Sequence, residues 1–322
     1  MRHAYPKFFT PGLLCLVFLH GIAVAQEAPS WAYPVNPPDF KLSSDDGSLR
    51  RVPDSSERFS TLQVRDRFFA PDWHPSGHVP MPSIVSVGRK PDVSACAYCH
   101  RVEGTGGPEN ASLAGLPATY IVQQMADYKT GARSTAVQKR APSTLMIAGA
   151  KAVSDDETLA AAAYFSALKP QVAIRVVESD MAPKTFVAGW FLAKNESAGT
   201  EPIGQRIIEL PDQLDQFESR DSRATFTAYV PPGSLARGKA LVAGLDLQEA
   251  PACATCHGTD LRGHEAVPSI AGRSPTYVFR QLHEIKAGIR AGAGVLPMKQ
   301  TVAKLNHDDM IAISAYLASL QP

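Results

Sequence analysis

One pentapeptide pattern occurs twice in the chain, as Cys96-Ala97-Tyr98-Cys99-His100 and as Cys253-Ala254-Thr255-Cys256-His257. Two cysteines three residues apart, followed directly by histidine, are the attachment pattern of a c-type haem. The two thiols can each form a thioether to one porphyrin, and the histidine is then placed under the iron as an axial ligand. The duplication therefore predicts two covalently bound haems c. The predicted attachment residues are Cys96, Cys99, Cys253 and Cys256, and the predicted axial ligands are His100 and His257.

A zinc site shared by both cysteine pairs is the alternative, because four thiolates satisfy the coordination of structural zinc. That interpretation leaves the two adjacent histidines without a role. The chain has five cysteines, and the fifth, Cys15, lies in a segment that we expect to be removed. No cysteine pair is then left for a structural disulfide.

The N-terminal segment has the pattern of a secretory signal peptide. Basic residues precede an apolar stretch from 8 to 25, which ends in small residues. We expect cleavage after Ala25 and export to the periplasm, where haem attachment of this kind takes place. An uncleaved membrane anchor is the alternative, although the stretch is short for a span. Lipid modification of Cys15 is disfavoured by the bulky Leu14 before it, and we expect no stable membrane span after cleavage.

The similarity between the two halves extends well beyond the haem motifs. At an offset of 157 positions, the Ser-Leu-Ala-Gly at 112–115 matches the Ser-Ile-Ala-Gly at 269–272. Apolar residues at steps of three and four predict a helix after each haem loop. Capping residues Ser154 and Asn306 predict a closing helix in each half. The same offset pairs Tyr120, Gln124, Lys129, Gly131 and Arg133 with Tyr277, Gln281, Lys286, Gly288 and Arg290.

The repeat also selects among the seven methionines. Met146 and Met298 match each other ahead of the closing helix, whereas Met125 aligns with a leucine and Met310 with a threonine. A thioether opposite imidazole raises the reduction potential and fills the coordination sphere, which favours electron transfer over substrate binding. We therefore predict Met146 and Met298, each in a loop, as the sixth ligands of the two irons. The alternative is an accidental match of two exposed loop methionines.

The remaining histidines are weaker candidates for ligands. His264, His283 and His307 each align with a different residue type in the other half, which favours a surface position. His74 and His78 lie shortly before the first haem motif. For this pair, a distal ligand or metal site is the alternative to an ordered Pro-rich loop.

On these residues the chain resembles the soluble periplasmic diheme cytochromes c of the c-four type, in which two class I cytochrome domains are fused. The resemblance rests on the haem motifs, the Ser-Leu/Ile-Ala-Gly run, the Tyr-x3-Gln helix with its Lys-x-Gly-x-Arg ending, the loop methionine and the final helix. It covers residues 93–170 and roughly 235–322. It implies His100/Met146 and His257/Met298 ligation. It also implies electron transfer from dehydrogenases or quinol-oxidising complexes to terminal oxidases or reductases.

The predicted fold is mainly α, with two class I cytochrome c helical domains and a small β-containing insert between them. Short runs rich in β-branched and aromatic residues predict the strands of that insert. It is either a spacer or a segment that fixes haem separation or forms a docking surface. We expect a signal peptide at 1–25, a Pro- and aromatic-rich N-terminal extension at 26–90, a first repeat at 91–170, a central insert at 171–234 and a second repeat at 235–322.

The two repeats depart from the family to different degrees. In class I domains a loop proline accepts, through its carbonyl, the hydrogen bond that orients the proximal imidazole. Pro268 fits this role, but Ala111 stands at the matching position, so we expect a different loop shape in the first repeat. Residues 235–241 predict the family's opening helix, whereas only a short substitute at 81–89 precedes the first motif.

Composition and motifs together limit the classes of partner and activity. The 32 basic and 31 acidic residues are nearly balanced, which argues against a nucleic-acid partner. The expected partners are redox proteins: a dehydrogenase, a cytochrome complex or a terminal oxidase. We predict an electron-transfer protein without catalytic residues, because neither haem loop shows the acid–base residues that a peroxidase needs. A diheme enzyme of the cytochrome c peroxidase or thiosulfate dehydrogenase type, and a tightly bound cytochrome subunit of a periplasmic dehydrogenase, stay open as alternatives.

Overall fold

The structure is a computed structural model that describes residues 1, 3, 28–42, 44–245 and 251–322. Apart from residues 1 and 3, the predicted signal peptide lies outside these ranges. Within them, no helix combines the length and the apolar character that a membrane crossing requires.

The N-terminal extension has little regular structure and contacts both repeats. Trp31 and Tyr33 near its start pack into the core of the second repeat. Ile84 and Val85 near its end pack into the core of the first. The extension therefore ties the two repeats together. Its elements are β1 (Leu49–Arg50), β2 (Phe59–Ser60), α1 (Thr61–Arg65), a 3-10 helix (Pro75–Gly77) and α2 (Ser83–Ser86), and β1 pairs antiparallel with β2.

The first repeat is helical. Its elements are α3 (Cys96–His100), α4 (Ala118–Thr130), α5 (Ala141–Ala152) and α6 (Asp155–Ala167). Helix α4 ends at Gly131, which adopts a left-handed φ of 82° that suits glycine. Helix α6 begins with a capping box in which Ser154 and Glu157 exchange hydrogen bonds, as the sequence predicts. Phe165 of α6 and Ile121 of α4 meet in the core.

The central insert contains most of the strands. Its elements are β3 (Ile174–Glu178), β4 (Met181–Pro183), β5 (Thr185–Ala188), β6 (Phe191–Lys194), β7 (Thr200–Pro202), β8 (Ile208–Pro211), α7 (Leu214–Glu218) and β9 (Phe226–Val230). Strand β9 pairs in parallel with β3 and antiparallel with β8. Two antiparallel pairs, β4 with β7 and β5 with β6, complete the insert. Ile208 and Val230 lie in the same core as the second repeat.

The second repeat contains α8 (Ser234–Val242), α9 (Ala254–His257), α10 (Pro275–Lys286), a 3-10 helix (Ala293–Met298), α11 (Lys299–Lys304) and α12 (His307–Ser319). Helix α8 is the opening helix that the sequence predicts. It crosses α12 at Gly238, where a Cβ would collide with the carbonyl of Ala312. In the first repeat no long opening helix is found among the described residues, and the short α2 packs against the closing helix α6 beside α4. The predicted fold class, mainly α with a β-containing insert, is confirmed.

Candidate functional site

Each haem motif forms a short helical turn, α3 in the first repeat and α9 in the second. Helical residues three and four positions apart lie on one face, so the two cysteines and the histidine of a motif share a face. The four motif cysteines form no disulfide within the described part of the chain. Among the described residues no group of three or more His, Cys, Asp or Glu side chains is arranged to hold a metal ion. The two cysteine pairs therefore do not form the shared zinc site.

Burial raises the pKa of three motif thiols, those of Cys96, Cys99 and Cys253. It raises the pKa of Cys96 to about 12 and the pKa of Cys253 to about 11. Redox-active Cys-x-x-Cys pairs show the opposite shift, because their reactivity depends on a thiolate. Cys96 and Cys253 therefore lack the lowered pKa that marks the reactive thiolate of such a redox pair.

Both motif histidines are oriented by a backbone carbonyl. His100 Nδ1 donates to the carbonyl of Ala111 at 2.9 Å, and His257 Nδ1 donates to the carbonyl of Pro268 at 2.8 Å. With Nδ1 carrying the proton, Nε2 is the nitrogen that can ligate iron. Burial lowers the pKa of both imidazoles, which favours the neutral form that binds a metal. These residues fit the proximal side of a haem.

We expected the first haem loop to differ in shape because Ala111 replaces the proline, and this expectation is wrong for the hydrogen bond to the histidine. The Ala111 carbonyl accepts from His100 as the Pro268 carbonyl accepts from His257. A glycine in each loop explains the match. Gly106 N–H donates to the His100 carbonyl at 3.0 Å, and Gly263 N–H donates to the His257 carbonyl at 2.8 Å. Both glycines have positive φ, and a Cβ on either would collide with the backbone of the acceptor segment. The two glycines match at the repeat offset, so the sequence carried this signal.

The two predicted methionine ligands do not lie in loops. Met146 lies inside α5, and Met298 is the last residue of the 3-10 helix that leads into α11. Met298 packs against the core of the second repeat. Met146 is half-buried, and Met81 and Met125 are the methionines packed against the core of the first repeat. The ligand role of both predicted methionines stays a prediction.

Four other histidines, His74, His78, His283 and His307, have side-chain partners within the protein. His74 Nε2 lies 3.1 Å from Asp221 Oδ1, and His78 Nε2 lies 3.2 Å from Asp72 Oδ1. The expected surface position of His283 is wrong, because this residue is buried in α10 with Nδ1 3.3 Å from the Tyr33 hydroxyl. His264 is exposed, and His307 Nε2 lies 3.2 Å from the carbonyl of Gln205.

Two matched arginines, Arg133 and Arg290, connect the repeats. Arg133 donates to a tyrosine hydroxyl of the second repeat at 3.1 Å and to a glutamine at 2.9 Å. Arg290 donates to the matching pair of the first repeat, at 2.9 Å each. The sequence paired these residues but did not indicate that they touch across the junction. The four acceptors are Tyr277, Gln281, Tyr120 and Gln124.

Further arginines of the second repeat hold the haem loop of the first. Arg273 donates to the Ser112 hydroxyl at 2.9 Å, and Arg280 donates to the Pro108 carbonyl at 2.6 Å. Several of the buried guanidinium groups keep an Nε–H without a partner among the described residues. A haem carries two propionates, and carboxylates are the natural acceptors for such donors, so the junction also fits the predicted cofactors. The arginines with such an Nε are Arg101, Arg133, Arg140, Arg273 and Arg290.

Comparison with known proteins matches the repeats to one family. The family model described as cytochrome c matches residues 92–169 and 235–321. Each matched segment contains one Cys-x-x-Cys-His motif and the glycine loop that follows it. The predicted cofactors, two covalently bound haems c, are confirmed.

Individual proteins show the same similarity. Cytochrome c4 of Azotobacter vinelandii is 32% identical over 141 residues, which cover 38% of this chain and 67% of that protein. The thiosulfate dehydrogenase electron acceptor of Thiomonas intermedia (strain K12) is 25% identical and covers 71% of this chain and 80% of that protein. Among solved structures, the thiosulfate dehydrogenase (TsdBA) from Marichromatium purpuratum aligns with a TM-score of 0.49 and 25% identity, covering 73% of this chain and 38% of that one.

Proposed function

The chain belongs to the cytochrome c family, and from that premise we propose that it is a periplasmic electron carrier that acts between redox proteins. Electrons come from a dehydrogenase or a quinol-oxidising complex and pass to a terminal oxidase or reductase. Each bound haem supplies a one-electron change between ferric and ferrous iron. The protein holds each group, orients its axial ligands and brings the two sites together.

The equivalence of the two proximal sites is the observation that carries this proposal. In both repeats an imidazole Nδ1 donates to a backbone carbonyl, at 2.9 Å and 2.8 Å, and a glycine of positive φ shapes the loop. A carrier needs each haem to keep a complete set of ligands. A diheme peroxidase needs two unequal sites, one of which opens for substrate.

The residues have the following roles in the proposal. Two cysteines in each repeat attach one haem, and the histidine after them is the proximal ligand. A methionine ahead of the closing helix is the sixth ligand, and its thioether raises the reduction potential. The attachment residues are Cys96, Cys99, Cys253 and Cys256, and the axial pairs are His100 with Met146 and His257 with Met298.

The relatives suggest which donor to examine first. One relative is named as the electron acceptor of a thiosulfate dehydrogenase, so a thiosulfate-oxidising dehydrogenase is our first candidate donor. The secretory pattern at 1–25 supports a periplasmic location.

A redox titration of the purified holoprotein with optical and EPR detection tests the proposal. We expect two reversible one-electron changes and two low-spin ferric signals, both typical of histidine–methionine ligation. The same preparation should show only background consumption of hydrogen peroxide. Turnover of peroxide at an enzymatic rate, or a resting haem with an open sixth position, would contradict a carrier and support the diheme enzyme.

A further inference from the structure

The loop after the axial histidine is covered in one repeat and open in the other. Residues 101–108 of the first repeat are buried, except for the half-buried Thr105. The matching residues 258–265 of the second repeat include five exposed side chains. The two loops make the same hydrogen bonds to their histidines. The difference in exposure therefore comes from the segments that pack against each loop.

The first loop is covered by one turn of the central insert, residues 217–222, which we name the covering turn. The hydroxyl of Ser222 accepts the Glu103 N–H at 3.0 Å, and the carbonyl of Ser222 accepts the Thr105 hydroxyl at 2.9 Å. The ring of Phe217 lies 4.7 Å from the guanidinium of Arg101, the residue directly after the axial histidine. The covering turn thus bonds to the backbone and side chains of the haem loop itself.

The covering turn also closes over the attachment motif. The guanidinium of Arg220 stacks on the ring of Tyr98 at 3.6 Å and donates to the Tyr98 carbonyl at 3.0 Å. Tyr98 stands between the two attachment cysteines, and its counterpart Thr255 is exposed. Arg220 further donates to the carbonyl of Val64 at 2.9 Å, so the N-terminal extension borders the same surface.

Buried polar contacts fix the covering turn in this position. Asp221 is 1% exposed and lies 3.1 Å from Nε2 of the buried His74. The indole N–H of Trp73 donates to the Ser219 carbonyl at 2.8 Å. Arg101 and Arg220 both have positive φ, at 66° and 61°, a region that non-glycine residues adopt at an energetic cost. Arg101 and Arg220 lie where the covering turn meets the haem loop. The surrounding contacts therefore hold both residues in an unfavourable backbone conformation.

We infer that the covering turn shields the first haem from external redox partners, so that the second haem is the site of direct electron exchange. Thioether bonds place one edge of each haem at the cysteine sulfurs, and access to the cysteines is therefore access to that edge. Cys96 and Cys99 are both half-buried; in the second repeat Cys253 is half-buried as well, but Cys256 is exposed. This inference rests on the proposed carrier function. It adds that the first haem exchanges electrons mainly through the second.

Proton NMR of the oxidised holoprotein can measure access to each haem, because its ring-methyl signals are shifted away from the rest of the spectrum. Signals are assigned through their proximity to Tyr98 or to Thr255. We expect a neutral soluble gadolinium chelate to enhance relaxation at the second haem several-fold more than at the first. Equal enhancement at the two haems in the unmodified protein would overturn the inference.

Two variants remove the cover in different ways. Arg220→Ala deletes the stacked guanidinium, and Tyr98→Thr introduces the residue type found at Thr255. Each should raise relaxation at the first haem several-fold and leave the second unchanged. Arg206→Ala is the matched control, because its guanidinium bonds within the insert, to Glu201 at 3.0 Å and to a backbone carbonyl at 2.8 Å. No change at the first haem in either cover variant would contradict the role of the covering turn.

Stopped-flow oxidation by ferricyanide separates this inference from the proposed function. If the reduced protein does not give up one electron per haem reversibly, the carrier function fails. If both haems react reversibly and Arg220→Ala does not accelerate the slower phase, only the inference fails. A faster slow phase in Arg220→Ala, with Arg206→Ala unchanged, supports both.

Discussion

Backbone carbonyls orient the two axial histidines. The acceptor of each imidazole Nδ1 is a carbonyl, supplied by Ala111 in one repeat and by Pro268 in the other. Every residue type has a backbone carbonyl, so the residue type does not show which carbonyl accepts a hydrogen bond. The sequence could therefore identify the histidines and cysteines but not the equivalence of the two acceptors. Loop glycines of positive φ were the available signal, since few other residues can occupy those positions.

The methionine ligands are testable residue by residue. Oxidised haem with a methionine ligand has a weak charge-transfer band in the red, and each haem should contribute about half of it. We expect Met146→Ala and Met298→Ala each to remove about half of the band and to lower the potential of the corresponding haem, because a thioether ligand raises it. Absorption spectra and a redox titration of both variants provide the measurement.

The pair of variants also includes its own control. If Met146→Ala leaves the band at full strength while Met298→Ala abolishes it, the assignment of Met146 is wrong. Met81 and Met125, which pack against the core of the first repeat, would then be the next residues to replace.

At the scale of elements, the closing helix of the first repeat is fixed at its start by a charged pair. Arg89 Nε donates to Glu157 Oε1 at 2.8 Å, and the Ser154 N–H donates to Glu157 Oε2 at 2.9 Å. These hydrogen bonds, first that from Arg89, lower the pKa of Glu157 to about 2. The carboxylate therefore stabilises the folded state at pH values above the ordinary carboxyl pKa, and this contribution is lost as the pH falls towards 2.

Glu157→Gln tests that contribution. Glutamine can keep the capping box but not the ion pair with Arg89. Because the pair is partly exposed, we expect a loss of about 0.5 kcal/mol at neutral pH. The difference from the unmodified protein should shrink as the pH falls towards about 2. Urea unfolding over this pH range provides the measurement, and Asp156→Asn in the same turn is the control. A difference that grows with acidity would contradict the assigned pKa.

The helices and strands that show clear hydrophobic periodicity or capping residues could be predicted from the sequence. Helix α5, which depends on the helix propensity of its residues, was not predicted. The capping boxes of α6 and α12 mark both closing helices in the sequence, and both form. Residues 141–152 are rich in alanine and other good helix formers, which explains why α5 replaces the expected loop around Met146. In the second repeat, Pro297 and nearby glycines limit the same stretch to a 3-10 helix followed by the short α11.

At the scale of the whole molecule, the junction between the repeats is a crossed network. Arg133 and Arg290 each bond to the glutamine of their own repeat and to that of the other. The alignment of the halves could show which residues match, and the cytochrome c family model matches both halves. It could not show which residues touch, because contact between repeats depends on how the two domains pack.

Arg133→Gln and Arg290→Gln test the crossed network. Each removes one donor to buried acceptors, and we expect each to lower the free energy of unfolding by about 1–3 kcal/mol. Each single variant leaves both shared acceptors, Gln124 and Gln281, with one arginine donor, so the double variant should lose more than the sum of the single variants. Denaturant unfolding of the holoproteins measures these values. Simple additivity would show that the two arginines act independently.

The parallel pairing of β3 with β9 has a consequence for how this molecule came to differ from a plain tandem repeat. The first residues of β3 and β9 lie side by side, and the N–H of Phe226 donates to the carbonyl of Ala173 at 2.8 Å. Chain entering at 173 could continue at 226 with a single strand in place of two. Residues 174–225, which include the covering turn, thus form a segment whose two ends meet. One insertion or deletion event could thus confer or erase the inequality of the two haems, without changing how the repeats are joined.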